Sequence, residues 1–155
     1  AEVHAVDISA DALEVARENA RRCGVLERVR FHQGDQLAPL EELYGRLDAV
    51  VANPPYVDPA DEATLAPEVG VHEPRLALFD RDGQYGAYAR LAPQAREALR
   101  PGGWLLVEIG AGMQARVEQL LCAAGLELAQ ASRDLNGIVR VAAARRPSGP
   151  NGPRC

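Results

Sequence analysis

The ten residues from Val50 to Pro59, VVANPPYVDP, join a run of apolar β-formers to an asparagine, two prolines and a tyrosine. Almost any turn residues can stop a buried strand, so the choice of Asn53, Pro54, Pro55 and Tyr56 calls for a chemical reason. Proline contributes a carbonyl and no N–H, and its fixed φ stiffens the loop. The backbone around Pro54 therefore offers acceptors without competing donors, and the Asn53 side chain adds another oxygen. Such a site suits a planar NH2 group, its two hydrogens held by the Asn53 oxygen and a proline carbonyl while Tyr56 packs against its face. The lone pair of an amide or aromatic NH2 is delocalised, so holding the nitrogen towards pyramidal geometry favours attack. Placing it in line with an electrophilic methyl supplies much of the rate by proximity, with no strong base needed. The plainer alternative is a rigid turn that merely ends the strand.

On either side of that stretch, short apolar runs alternate with helix-like segments, the signature of an α/β protein with a mostly parallel sheet. VHAV (3–6) reads as a strand. SADALEVARENARRCG (9–24) reads as a helix: Ser9 is placed to cap it, Leu13, Ala16, Ala20 and Cys23 recur at helical spacing, and Gly24 can end it. RVRFHQ (28–33) reads as a strand, PLEELYG (39–45) as a short helical or looped piece, and LDAVVA (47–52) as a strand. A long loop rich in Pro, Asp and Glu is expected from Asn53 to about Asp82. GQYGAYARLAPQAREALR (83–100) is expected to be helical despite Pro93, and PGG (101–103) to be a turn. WLLVEI (104–109) is a strand and MQARVEQLLCAAG (113–125) a helix. LELAQAS (126–132) and IVRVAAA (138–144) are strands joined by RDLNG, too short for a helical crossover and suited to an antiparallel pair. One domain over residues 1–146 is expected, with a disordered tail over 147–155.

In open parallel α/β sheets, ligands bind outside the carboxyl ends of the strands. Three successive strands here end at Asp7, Asp35 and Asn53. An acid at a strand end can simply cap the next helix, but Ser9 is better placed than Asp7 for that task. A carboxylate at Asp7 can accept hydrogen bonds from both hydroxyls of a ribose. Asp35 can take an adenine amino group, with Gln36 and Leu37 beside it to flank the ring.

The bulk numbers limit the alternatives. With 155 residues, 47% hydrophobic and 25% charged, the chain suits one soluble domain, and no apolar run approaches a membrane span. The first residues have neither the basic start nor the apolar centre of a signal peptide, so a cytoplasmic location is expected. All seventeen basic residues are arginine, against twenty-two acids, which disfavours electrostatic nucleic-acid binding as the main function. Cys23, Cys122 and Cys155 are odd in number and widely spaced, so reduced thiols are expected rather than a disulfide framework or zinc site. His4, His32 and His72 show no metal-ligand spacing, no G-x-S-x-G elbow is present, and no metal is expected.

Taken together, VDIS after one strand, GD after the next and NPPY after the third resemble the class I, Rossmann-like methyltransferases that use S-adenosylmethionine. Among these, NPPY accompanies methylation of planar nitrogens, either glutamine amides in proteins or exocyclic amines of nucleobases. PEV (67–69), EPRLAL (73–78), PGGWLLVEIG (101–110) and RDLNGIVR (133–140) are similar to the HemK/PrmC type, the peptide chain release factor glutamine methyltransferases. The likeness runs through nearly the whole chain up to Arg146. It implies that Asp7, with Ile8 beside it, binds the cofactor ribose, that Asp35 and Gln36 lie at the adenine, and that Asn53 touches cofactor and substrate. It also implies that Asn53, Pro54, Pro55 and Tyr56 hold the glutamine of a release factor GGQ loop. The family often has an aromatic residue where Gln36 stands. Its first strand and the glycine-rich loop that cradles the methionine part of the cofactor are expected to be missing, so that Ala1 reads as a truncated start.

Three rivals remain. GAGMQA (110–115) fits the G-x-G-x-x-A dinucleotide fingerprint, follows a strand, opens a helix and has Asp134 after the next strand. That reading makes the chain half of an NAD-binding domain, but leaves the three strand-end polar groups without a role. A nearer rival keeps the chemistry and makes the substrate a nucleobase amine in rRNA or DNA. The last is an inactive remnant. Glu73, Arg75 and Glu108 are read as structural or loop-ordering residues.

Overall fold

A computed structural model describes residues 1–64 and 74–149, in two units, Ala1–Leu43 and Tyr44–Cys155. In the first, strand β1 (Val3–Asp7) and strand β2 (Val29–Gln33) run parallel, with Asp7 in register with Gln33. Helix α1 (Ala10–Arg22) connects them. Its start is fixed by Ser9, whose hydroxyl oxygen accepts the Ala12 N–H at 3.2 Å. Its end is a Schellman motif: Gly24, at φ +68°, donates to Arg21, and Val25 donates to the Ala20 carbonyl. Leu13 and Ala20 are buried and the Arg17 guanidinium covers the Phe31 ring, whereas Cys23 of the expected apolar stripe is exposed. Short 3-10 turns occupy Leu26–Arg28 and Ala38–Leu43.

In the second unit, strand β3 (Leu47–Ala52) is parallel to strand β4 (Leu99–Glu108), which is antiparallel to strand β7 (Val139–Arg145). Two short strands, β5 (Glu127–Leu128) and β6 (Ser132–Arg133), both pair antiparallel with β7. The C-terminal antiparallel arrangement thus agrees with the short RDLNG connection. The described strands form two sheets, ordered β1-β2 and β3-β4-β7-β5. Strand β4 begins earlier than expected, taking in the PGG turn through an irregularity in its pairing with β3.

Alternation along β4 sends Leu105 and Val107 to a fully buried face, continued by Ile109. Each such side chain contributes about 1.5–3 kcal/mol of burial. Two helices share this core: α3 (Gly86–Ala98), through Tyr88, Leu91 and Ala95, and α4 (Gln114–Ala123), through Val117 and Leu121. Before them, helix α2 (Arg75–Leu78) and a 3-10 turn at Pro59–Thr64 interrupt what composition alone read as loop. Helix α3 does continue through Pro93, and both Pro93 and Ala89, whose carbonyl loses the Pro93 donor, are exposed residues.

Some expectations change. His4 and His32 meet across β1 and β2, ring nitrogens 3.0 Å apart, which linear spacing cannot show. Cys23 is free, whereas Cys122 is disulfide-bonded, which corrects the expectation of a reduced thiol there, because the count and spacing of cysteines do not decide the state of any one of them. Of the expected tail, Pro147 is buried, and residues 150–155 lie outside the described residues, as do PEV at 67–69, Glu73 and His72. Among the described residues no helix is long and apolar enough to cross a membrane, and no three His, Cys, Asp or Glu side chains converge as for a metal.

Candidate active site

Asp7 and Asp35 stand at the carboxyl ends of neighbouring strands in the first unit. The Asp7 carbonyl accepts the Gly34 N–H at 3.0 Å, which ties the two strand ends together. A Cβ on Gly34 would collide with the Pro39 ring, so glycine is required for the turn that delivers Asp35. The exposed Asp7 carboxylate accepts the Ser9 N–H through Oδ1 at 2.8 Å while Ser9 caps α1. The exposed carboxylate keeps acceptor capacity to spare. Ile8 is exposed beside it, its carbonyl accepting from the Gln33 amide. Gln36 has φ +52°, a left-handed conformation found at no other non-glycine position among the described residues.

In the second unit, β3 delivers Asn53 one residue beyond the pair Ala52 and Val107. Asn53 is exposed, and among the described residues its side chain makes no hydrogen bond. Pro54, Pro55 and Tyr56 are half-buried, and the Val57 N–H donates to the Leu78 carbonyl at 3.0 Å, closing the stiff segment against α2. The Tyr56 hydroxyl reaches Oε1 of Glu108 at 3.4 Å, at the end of the adjacent strand. Burial first, and then the Glu108 carboxylate, push the Tyr56 hydroxyl pKa above its ordinary value, partly opposed by the charge of Arg140. Tyr88, fully buried, donates to the Glu108 carbonyl at 2.7 Å and pins that strand end.

The acid after β6 has another task. The Asp134 carboxylate accepts hydrogen bonds from the Ile138 N–H, the Arg140 guanidinium and the Asn136 N–H, which hold its pKa below the ordinary carboxylate value. It orders its own hairpin turn, so the ribose-binding acid that a GAGMQA fingerprint needs is already engaged. Gly110 of that motif instead leaves room for Tyr56: a Cβ there would lie 3.2 Å from the ring and 2.7 Å from the Met113 sulfur. Glu108, against the Tyr56 hydroxyl, is a candidate that sequence reasoning set aside. The strand-end rule that selected Asp7, Asp35 and Asn53 also points to it.

Solved structures share this architecture. A ribosomal protein L11 methylase from Lactobacillus delbrueckii matches with a TM-score of 0.63 and 20% identity, over 94% of this chain and 58% of that one. The [4+2]-cyclase SpnF matches with a TM-score of 0.64 and 16% identity, over 96% and 68% respectively. The fold is that of the class I S-adenosylmethionine-dependent methyltransferases. A cyclase on the same fold shows that the reaction has to be argued from the site. Residues 1–66 match a family described as an RMKL-like methyltransferase domain. Over a longer stretch, the chain is similar to release factor glutamine methyltransferases, as its motifs indicate: it is 44% identical over 144 residues to the Synechocystis protein of that name. That match takes in 92% of this chain and 48% of the relative, so the chain spans about half the length of the curated relatives it matches.

Proposed function

We propose that the chain takes part in transferring a methyl group from S-adenosylmethionine to the side-chain amide nitrogen of the glutamine in the GGQ motif of peptide chain release factors, in the cytoplasm. The observation that carries this is Asn53: an amide with no hydrogen bond among the described residues, held at the end of β3 by a proline-stiffened segment beside a seated tyrosine. An Asn oxygen and proline carbonyls accept the two hydrogens of an NH2 group and offer it no competing donor. The names of the relatives support a glutamine amide over a nucleobase amine.

The cofactor, when bound, supplies an electrophilic methyl on a sulfonium. The first unit fits its nucleoside part: the exposed Asp7 carboxylate suits a ribose diol, and Asp35, with Gln36 beside it, stands at the neighbouring strand end for the adenine. In the second unit, Asn53 and the prolines orient the amide nitrogen and Tyr56 packs on its plane, so their contribution is position rather than base strength.

The test is transfer of labelled methyl from S-adenosylmethionine to a release factor, with N53A beside the parent chain. Loss of one such polar contact lowers the rate on the order of a hundredfold. Unchanged turnover in N53A would overturn the reading.

A further inference from the structure

We propose that Glu108 is a positioning residue for this reaction, holding Tyr56 so that its ring face meets the substrate amide. The inference deepens the methyltransferase reading and rests on it. Three contacts converge on the end of β4. The Glu108 carboxylate receives the Tyr56 hydroxyl at 3.4 Å. Tyr88 holds the Glu108 carbonyl from the core at 2.7 Å, and the Ile109 N–H donates to the Arg140 carbonyl at 2.9 Å, so the strand end that carries the carboxylate is pinned through its backbone. Gly110 supplies the space in which the Tyr56 ring lies. The first glycine of GAGMQA is thereby explained by the Met113 side chain and by a tyrosine fifty-four residues earlier in the chain.

The contact is long for a hydroxyl and a carboxylate, which commonly lie within about 3.0 Å. Hydrogen bonds of this kind are often loose in free enzymes and tighten when substrate is bound. The Tyr56 hydroxyl is the only donor to the Glu108 carboxylate among the described residues, so the carboxylate has acceptor capacity to spare for that tightening. It need not act as the base. When the amide nitrogen bonds to the methyl carbon and the carbon–sulfur electron pair leaves with sulfur, the alkylated nitrogen becomes strongly acidic and releases its proton to water. The orientation of the amide before attack is what the protein must supply.

Two measurements test this. In protein labelled with 13C-tyrosine, the Tyr56 resonance is assigned by its loss in Y56F. E108L is expected to shift that resonance and to lower the pH at which Tyr56 ionises, the groups facing it being Glu108, Arg140 and Tyr88. E108Q, whose amide oxygen still accepts the hydroxyl, should move it less. An unmoved Tyr56 in E108L overturns the proposal, whether or not the chain transfers methyl groups. In the methyl-transfer assay, E108L and Y56F are each expected to lower kcat about tenfold with little change in KM for the release factor. The double variant should be no worse than the more severe single one. Additive losses, or full activity in E108L, would overturn the proposal.

Discussion

Replacing Gly110 by alanine places one methyl group 2.7 Å from the Met113 sulfur, 3.5 Å from its Cγ and 3.2 Å from Cδ2 of Tyr56. Carbon atoms in good contact lie about 3.5–4.0 Å apart, so both neighbours have to move. Met113 is only 2% exposed and cannot swing its sulfur into solvent, while the Tyr56 ring must give by a few tenths of an ångström. Overpacking of this kind costs about 1–3 kcal/mol. For a chain of this size that lowers Tm by roughly 2–4 °C per kcal/mol. G112A is the control: its φ of +80° makes alanine costly, but nothing lies within 4 Å of the added carbon. It should lose about 1 kcal/mol through backbone conformation alone. Thermal unfolding followed by circular dichroism reads both losses, and the 13C-tyrosine spectrum reads where the strain goes. G110A is expected to shift the Tyr56 resonance and lower methyl transfer, and G112A to do neither. A G110A protein of parental stability with Tyr56 unmoved would refute the packing argument.

The Asp80 and Arg90 ion pair anchors the entry to α3, with side chains 6% and 24% exposed. Burial alone would raise the Asp80 pKa, but the hydrogen bonds from Arg90 and the Asp82 N–H, with the charges of Arg90 and Arg81, outweigh it and hold it below the ordinary value. D80N should therefore cost about 2–3 kcal/mol at neutral pH, somewhat less than a fully buried pair, by urea unfolding. Because the folded-state pKa is the lower one, that difference is complete above the ordinary carboxylate value of about 4 and shrinks as pH falls through the depressed one. A difference independent of pH down to acid unfolding would contradict the assignment. At α1, S9A removes the hydroxyl that caps Ala12 and should cost about 1 kcal/mol, again by urea unfolding; no loss would mean that Asp7 alone suffices as cap.

The periodic elements were legible because each carries its own punctuation. Ser9 and Gly24 bracket α1, LDAVVA coincides with β3, and the five-residue RDLNG spacing allows only an antiparallel return. The role proposed for Asn53 and its prolines rests on chemistry legible in the sequence, since acceptors without donors are a property of those residue types wherever they stand. What stayed hidden depends on partners far away in sequence. Glu108 looks like a strand-end acid with several uses until Tyr56 is seen against it, fifty-two residues away. Asp134 looked like a ribose-binding acid because spacing does not reveal that its oxygens are taken by its own turn. Gly110 imitated a dinucleotide fingerprint because a glycine needed for space and one needed for φ are the same letter. The short helices within 53–82 were masked by a composition of Pro, Asp and Glu that also suits loops.

The central claim is that Asn53 and the segment after it hold a glutamine amide for methylation. Its most direct test is peptide mass spectrometry of a release factor after incubation with the chain and S-adenosylmethionine, in parallel with N53A. The account predicts a single methyl on the glutamine of the GGQ motif with the parent chain and almost none with N53A. Methylation elsewhere, or an equal yield on that glutamine with N53A, would contradict it.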